Sequence, residues 1–188
     1  MLMHPTWTWT VAAMCRASDP DRAPKFFKAM DCLGAKGSIG DLDDGPEQVP
    51  LPCEAVTRAA VSVLPAARYD VVFTHSPFGE YTRHRRHEET ARAVLALWRT
   101  GRLRAGELRL FAYEDGRGGH RPRAIRDAHQ IVALPEEIWR KKHSIIVDIY
   151  GFQSGSFEAD TTPREEAFWC FDSPAAAGAW VQGKAPEA

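Results

Sequence analysis

Segments rich in β-branched and aromatic residues alternate along this chain with segments of helical period, and no other feature narrows the fold as much. "WTWTVAAMC" (7–15) suits a strand, and "DRAPKFFKAMDCL" (21–33) suits a helix with Asp19 or Asp21 as cap and Gly34 as stop. A short segment near 38–42 runs into the turn signal Asp43-Asp44-Gly45-Pro46. Residues 54–64 suit a second helix and 69–74 a compact buried strand. Residues 86–100 suit a third helix, ended by Gly101. "ELRLFAY" (107–113) reads as a strand, followed by the loop "EDGRGGHRPR"; 135–150 reads as one long helix and "EEAFWCF" (165–171) as a late strand. Strands separated by helical crossovers imply an α/β fold, a mostly parallel sheet flanked by helices. With 188 residues the chain suits one domain, placed at 1–182, with 183–188 as a frayed tail.

The overall charge excludes some partners. A formal net charge of −1 provides no global field for nucleic acid or an anionic membrane. Cys15, Cys32, Cys53 and Cys170 are scattered without a Cys-x-x-Cys pair, which suits a reducing compartment. No apolar run approaches a membrane span, and "MLMHPTWTW" lacks the basic start and apolar centre of a signal peptide. A soluble cytoplasmic protein acting on a small molecule is expected, with homo-oligomerisation left open.

Parallel sheets collect ligands beyond the carboxyl ends of their strands. Here those ends are followed by Arg16 and Asp19, by Asp43 and Asp44, by His75, and by Glu114 and Asp115. In the same layer "GEYTRHRRHEET" (79–90) sets His84 three residues before His87. On a helix, His87 shares an inward stripe with Ala91, Val94, Leu95 and Trp98, and His84 can share its face. Periodicity alone favours an ordinary packed histidine beside a solvated charged face, because a catalytic zinc needs three protein ligands and an open position. "HEETA" fails the His-Glu-x-x-His pattern, "GFQSG" misplaces its serine for a nucleophile elbow, and "GAKGSIG" misses the dinucleotide spacing. Glu80, Glu88 and Glu89 crowd "RHRR", which makes nucleic-acid binding a minor option.

At these residues the chain resembles the PIG-L/LmbE family of zinc-dependent N-deacetylases. "WTVAAMCR" is similar to the family's second strand and turn, and "DRAPKFFKAMDCLGAKGSIGDLDDG" to the helix and strand ending in Asp-Gly. "YDVVFTHSPFGEYTRHRRHEETARAVLALW" resembles the strand, loop and His-x-x-His helix, with Arg85-Arg86 in place of Pro-Asp, and "PREEAFWCF" resembles one branch of the family. The resemblance implies a Rossmann-like sheet, one Zn2+ and removal of an acetyl group from an N-acetyl amino sugar or related amide. It makes His87 a metal ligand and His84 the catalytic residue that polarises the carbonyl or stabilises the oxyanion. Arg16 and Asp44 become sugar contacts.

One departure from the family is large. Its His-Pro-Asp-Asp motif, source of two ligands and a catalytic base, is absent; His4-Pro5 is followed by Thr6-Trp7, so His4 reads as a turn residue. The first, central strand of the sheet is then missing too, which leaves two interior strand edges without a shared partner. Three resolutions are open: the strands close on each other, another chain fills the gap, or the native product continues upstream of Met1. The last is the favoured expectation. With one family ligand remaining, the chain alone is expected to hold zinc weakly and to be inactive. The competing readings are a non-catalytic carbohydrate-binding remnant and a regulatory protein that takes a phosphate or partner at 83–86.

Overall fold

A computed structural model describes residues 1–80, 83–115, 118 and 121–184. It has an α/β fold with three separate sheets. The strands β1 (Thr10–Ala13) and β2 (Lys36–Ile39) form a parallel pair joined by helix α1 (Arg22–Leu33). A four-stranded sheet has the order β3 (Arg68–Thr74), β4 (Arg104–Phe111), β8 (Glu165–Phe171), β7 (Gln130–Ala133). The third sheet is a small hairpin, β5 (Tyr113–Glu114) with β6 (Arg123–Ala124). The other helices are α2 (Cys53–Val63), α3 (Arg85–Arg99), α4 (Glu136–Ser144), α5 (Phe157–Asp160) and α6 (Pro174–Lys184).

The expected mostly parallel sheet is corrected to a mixed one. β3 and β4 run parallel, but β8 runs against both β4 and β7. Residue alternation fixes which face a side chain takes and leaves strand direction unspecified. β7, α5, α6 and the hairpin were absent from the sequence reading, since such short elements carry little periodicity. The long helix expected at 135–150 is α4 continued by a π-helical turn, Ile145–Ile149. α6 extends through Lys184, so the expected frayed tail begins inside a helix; residues 185–188 lie outside the described residues, as does much of the loop at 114–123.

The helix stops follow the expected chemistry. Gly34 takes φ 63°, and the amides of Gly34 and Ala35 donate to the carbonyls of Asp31 and Met30, closing α1 with a left-handed cap. At its other end Asp19 Oδ1 accepts from the Asp21 and Arg22 amides, each at 2.9 Å, so Asp19 serves as the cap. These bonds hold the Asp19 carboxyl below its usual range.

Two apolar clusters correspond to the two larger sheets. Val94, Leu97 and Trp98 of α3 pack with Ala60 of α2 against Leu108, Leu110, Trp169 and Phe171 of the four-stranded sheet. Phe26, Ala29 and Met30 of α1 pack with Ile145 beneath β1 and β2. Fully burying a leucine contributes about 1.5–3 kcal/mol, and Leu97 and Leu108 are at most 1% exposed. Leu108→Ala should therefore cost about 2–5 kcal/mol, read as a lower urea midpoint. Gly106→Ala tests the ladder itself, because its Cβ would sit 2.9 Å from the Asp70 carbonyl oxygen. It should lower the midpoint by an amount worth about 1–3 kcal/mol, since backbone cannot swing away.

Candidate metal centre

Burying polar groups is costly unless they are paired. Most of the buried polar side chains named in this fold are nonetheless gathered in one place. Thr74, Ser76, Glu80, Arg86 and Glu88 all lie between the carboxyl end of β3 and the first turn of α3. β3 ends at Thr74, so His75 emerges at the strand's carboxyl end. The loop then turns through Gly79, at φ 94°, and Glu80 folds back on it. Glu80, with 1% of its side chain exposed, shares a 2.9 Å hydrogen bond with His75 Nδ1 and accepts from the Ser76 amide at 2.8 Å. Two contacts anchor the loop: Arg92 donates to the Pro77 carbonyl at 3.0 Å, and the Phe78 ring lies 5.5 Å from that of Trp180.

His87 enters from α3. Its ring stacks on His75 with centroids 3.8 Å apart and planes 11° off parallel, and its Nδ1 is 4.0 Å from Glu80 Oε2. The donor atoms of His75, Glu80 and His87 all lie within 4.8 Å of one another. Two zinc ligands at tetrahedral positions stand about 3.3 Å apart, given bond lengths of about 2.0–2.1 Å; because an imidazole ligates in its own ring plane, holding one ion requires one ring of the stacked pair to turn. Burial, followed by the neighbouring His75 and His84 rings, pushes the His87 imidazole down to about 3. The ring is thus neutral near pH 7, the form that ligates a metal. Of the sequence-predicted residues only His87 belongs to this set. In the sequence His75 is a polar strand end and, with a nearby carboxylate, an alternative source of zinc ligands, while Glu80 is a charge crowding the basic run.

His84 lies beside the triad rather than in it. It occupies the N-cap of α3, its carbonyl accepting from the His87 and Glu88 amides, and its ring is 4.6 Å from that of His87. His84 Nε2 is 3.7 Å from Asp44 Oδ1, while its buried Nδ1 has no partner among the described residues. Arg16, at φ 78°, donates from Nε and Nη2 to Asp44 Oδ2, both at 3.2 Å, and Gln48 donates to Asp44 Oδ1 at 3.0 Å. Arg16 and Asp44, expected as two separate sugar contacts, are therefore bonded to each other. His4 sits in a turn, stacked on Trp7 at 4.3 Å, and takes no part in the triad. Cys15 offers no thiolate: burial first, then Asp44, pushes its thiol up to about 11.

Part of the charged face expected to be solvated is buried, namely Arg86 and Glu88, while Arg83, Arg85 and Arg92 are exposed. Only 3% of the Arg86 side chain is exposed, and it donates to the Asp43 carbonyl, to Asp43 Oδ2, to the Val49 carbonyl and to Glu89. Glu89 also accepts from the Leu51 amide at 3.0 Å, and Arg83 and Arg92 both bind Glu88. The loop at 43–51 lies across the start of α3, an approach that helical periodicity does not report. The four hydrogen bonds of Arg86 inside the protein leave Arg83 and Arg85 as the exposed cations of 83–86.

No family model matches this chain, and neither does any curated protein or solved structure.

Arg86→Ala would leave Glu89 nearly unexposed without its cation. It should cost about 3–5 kcal/mol, and limited proteolysis should cut 43–51 faster than in the parent protein. An unchanged urea midpoint would show that the clamp carries no stability.

Proposed function

We propose that this chain is a metal-dependent amide hydrolase whose substrate class is an N-acetyl amino sugar or a related N-acyl amide. We also read its two larger sheets as parts of one Rossmann-like arrangement. The observation that carries the reading is the convergence of His75, His87 and the His84–Asp44 pair on one cavity, with Glu80 buried against His75 and His87. Two imidazoles and a carboxylate suit zinc better than the oxygen-seeking magnesium or calcium. When bound, zinc supplies a water of lowered pKa and polarises the substrate carbonyl.

The chain's own residues account for the proton transfers. Asp44, fixed by Arg16 and Gln48, orients the His84 ring through Nε2. Once substrate entry uncovers its buried, unpartnered Nδ1, His84 takes the proton from the attacking water and returns it to the leaving amine. The resulting imidazolium also faces the developing oxyanion, a role for a well-placed donor. Asp44 acts as the orienting partner of His84, while Arg16, with 51% of its side chain exposed, has surface left for sugar hydroxyls at the rim. The His84–Asp44 pair thereby substitutes for the absent aspartate base. Glu80 and His75 substitute for the two absent ligands, which replaces the expectation of a lone, weak ligand with a three-ligand site.

Elemental analysis after dialysis against zinc should give close to one ion per chain. His87→Ala and Glu80→Gln should each weaken zinc binding at least about tenfold. His84→Ala should keep the metal and lower turnover of N-acetylglucosamine by about 10²-fold or more. Zinc content far below one in the folded parent protein would overturn the metal reading. Stoichiometric zinc with no amide cleavage would leave a binding protein instead.

A further inference from the structure

Two residues other than glycine take positive φ among the described residues, Arg16 at 78° and Gln48 at 47°. That conformation is strained for a residue carrying a β-carbon and persists only where the surroundings impose it. Both side chains end on one carboxylate. Arg16 Nε donates to Asp44 Oδ2 at 3.2 Å, while Gln48 Nε2 donates to Asp44 Oδ1 at 3.0 Å and to the Gly45 carbonyl at 3.1 Å. Two buried side-chain atoms lack a partner among the described residues, and they belong to the same group: Gln48 Oε1 and His84 Nδ1. A buried acceptor left empty carries its full desolvation cost. Gln48 therefore holds its bond to Asp44 against both a strained backbone and an unsatisfied oxygen.

The bond it makes is one that His84 lacks. His84 Nε2 stands 3.7 Å from Asp44 Oδ1, beyond hydrogen-bond reach. With Nδ1 unpartnered as well, the ring has no hydrogen bond at either nitrogen among the described residues. The surrounding contacts leave a short stretch of chain to rearrange. Arg86 holds the carbonyls of Asp43 and Val49, so 44–48 is a flap between two fixed points. Within it the backbone and side-chain N–H groups of Gln48 both donate to the Gly45 carbonyl, and Pro46 and Glu47 are exposed. Asp44, His84 and His87 line the polar end of the cavity, which continues as an apolar trough between β1 and β3.

We propose that Gln48 is a latch on the Asp44–His84 pair: its amide holds Asp44 Oδ1 short of His84 Nε2, and its release lets the two close into a hydrogen bond. The inference rests on His84 as the proton-transfer residue of the proposed hydrolysis; Gln48 acts through Asp44 as a positioning residue. On release Gln48 leaves the left-handed conformation and gives Oε1 to water, which offsets the hydrogen bonds it loses. The anchors at Asp43 and Val49 stay in place, so Gln48 fixes Asp44 in the free protein and Arg16 keeps it fixed once the latch opens. The closed pair also sets the tautomer. With Nε2–H donating to Asp44, Nδ1 is the acceptor that a substrate-bound water needs. A substrate that presents that water interacts better with the released state and so draws the population toward it.

The test uses the intact protein without metal or substrate and two variants, Gln48→Ala and Gln48→Gly, that both remove the amide. In crystals of either, His84 Nε2 should lie about 2.7–3.2 Å from Asp44 Oδ1, with Arg16 still on Oδ2. In solution, proton NMR should show a slowly exchanging His84 imidazole N–H that the parent protein lacks. Gln48→Gly should have the higher urea midpoint of the two, since glycine takes positive φ without strain. A His84–Asp44 separation unchanged in both variants, or loss of the Arg16 contact, would overturn the latch and make Gln48 a brace of the loop. Turnover is a separate readout. If the parent cleaves N-acetylglucosamine, both variants should raise kcat/KM at least about threefold, and a fall would sink the proposal. A closed pair without amide cleavage in parent or variants would sustain the latch and count against the hydrolase reading.

Discussion

The buried guanidinium of Arg86 is the contact on which the geometry of the site depends. It joins three pieces of chain that no secondary structure connects: the first turn of α3, the Asp43 carbonyl and side chain, and the Val49 carbonyl. An arginine so placed satisfies several carbonyls and carboxylates from one planar group. The consequence is positional. His84 and His87 stand on either side of Arg86 on α3, and Asp44 follows Asp43, so fixing one fixes the approach of Asp44 to His84. Arg16 secures the same loop from the other side, from a left-handed backbone conformation that costs about 1–3 kcal/mol in a non-glycine residue. Strain at that position is what a functional turn requires, and Asp44 takes up the guanidinium that it presents.

Around this clamp the molecule is organised as two packed units with an unfilled seam. Each larger sheet has its own apolar cluster, and the residues of β1, β2, β3 and β7 are mostly half-buried. Strands of their composition inside an α/β layer are normally covered on both faces and paired on both edges. The polar end of that seam is where the imidazoles collect. A low-polarity trough opening onto the neutral His87 ring favours a metal or a developing charge as the group that completes the site.

Much of the architecture was legible beforehand. The strand at 165–171 agrees with the fold to the residue, and α1, α2, α3 and β3 fall within a residue or so of their expected limits. Gly34 and Gly101 end their helices in the left-handed conformation. Such features are local: period, caps and stops act within a few residues. The inward stripe of α3 held for the same reason at Ala91, Val94 and Trp98, while His87 and Leu95 are half-buried. The charges of that helix were read as solvated because a helical wheel records which way a side chain leaves the axis and carries no trace of a loop laid over it. Glu80 escaped notice on similar grounds. It has no periodic relation to His75 or His87, and only the fold of the 75–80 loop brings its carboxylate between them.

By itself, the sequence determined where the longer strands and helices form, which face of each is apolar, and that histidines and carboxylates would gather at strand ends. Periodicity and turn chemistry operate over a handful of residues, so a single chain suffices to show them. Tertiary structure alone decided the direction of β8, the burial of Arg86 and Glu88, the meeting of His75, Glu80 and His87, and the open edges of β1 and β3. Each of these depends on segments distant along the chain, or on loop paths, that come together only when the apolar clusters close. The energy that closes them is non-directional, and the pattern of apolar residues leaves unstated which polar groups that closure will bring face to face.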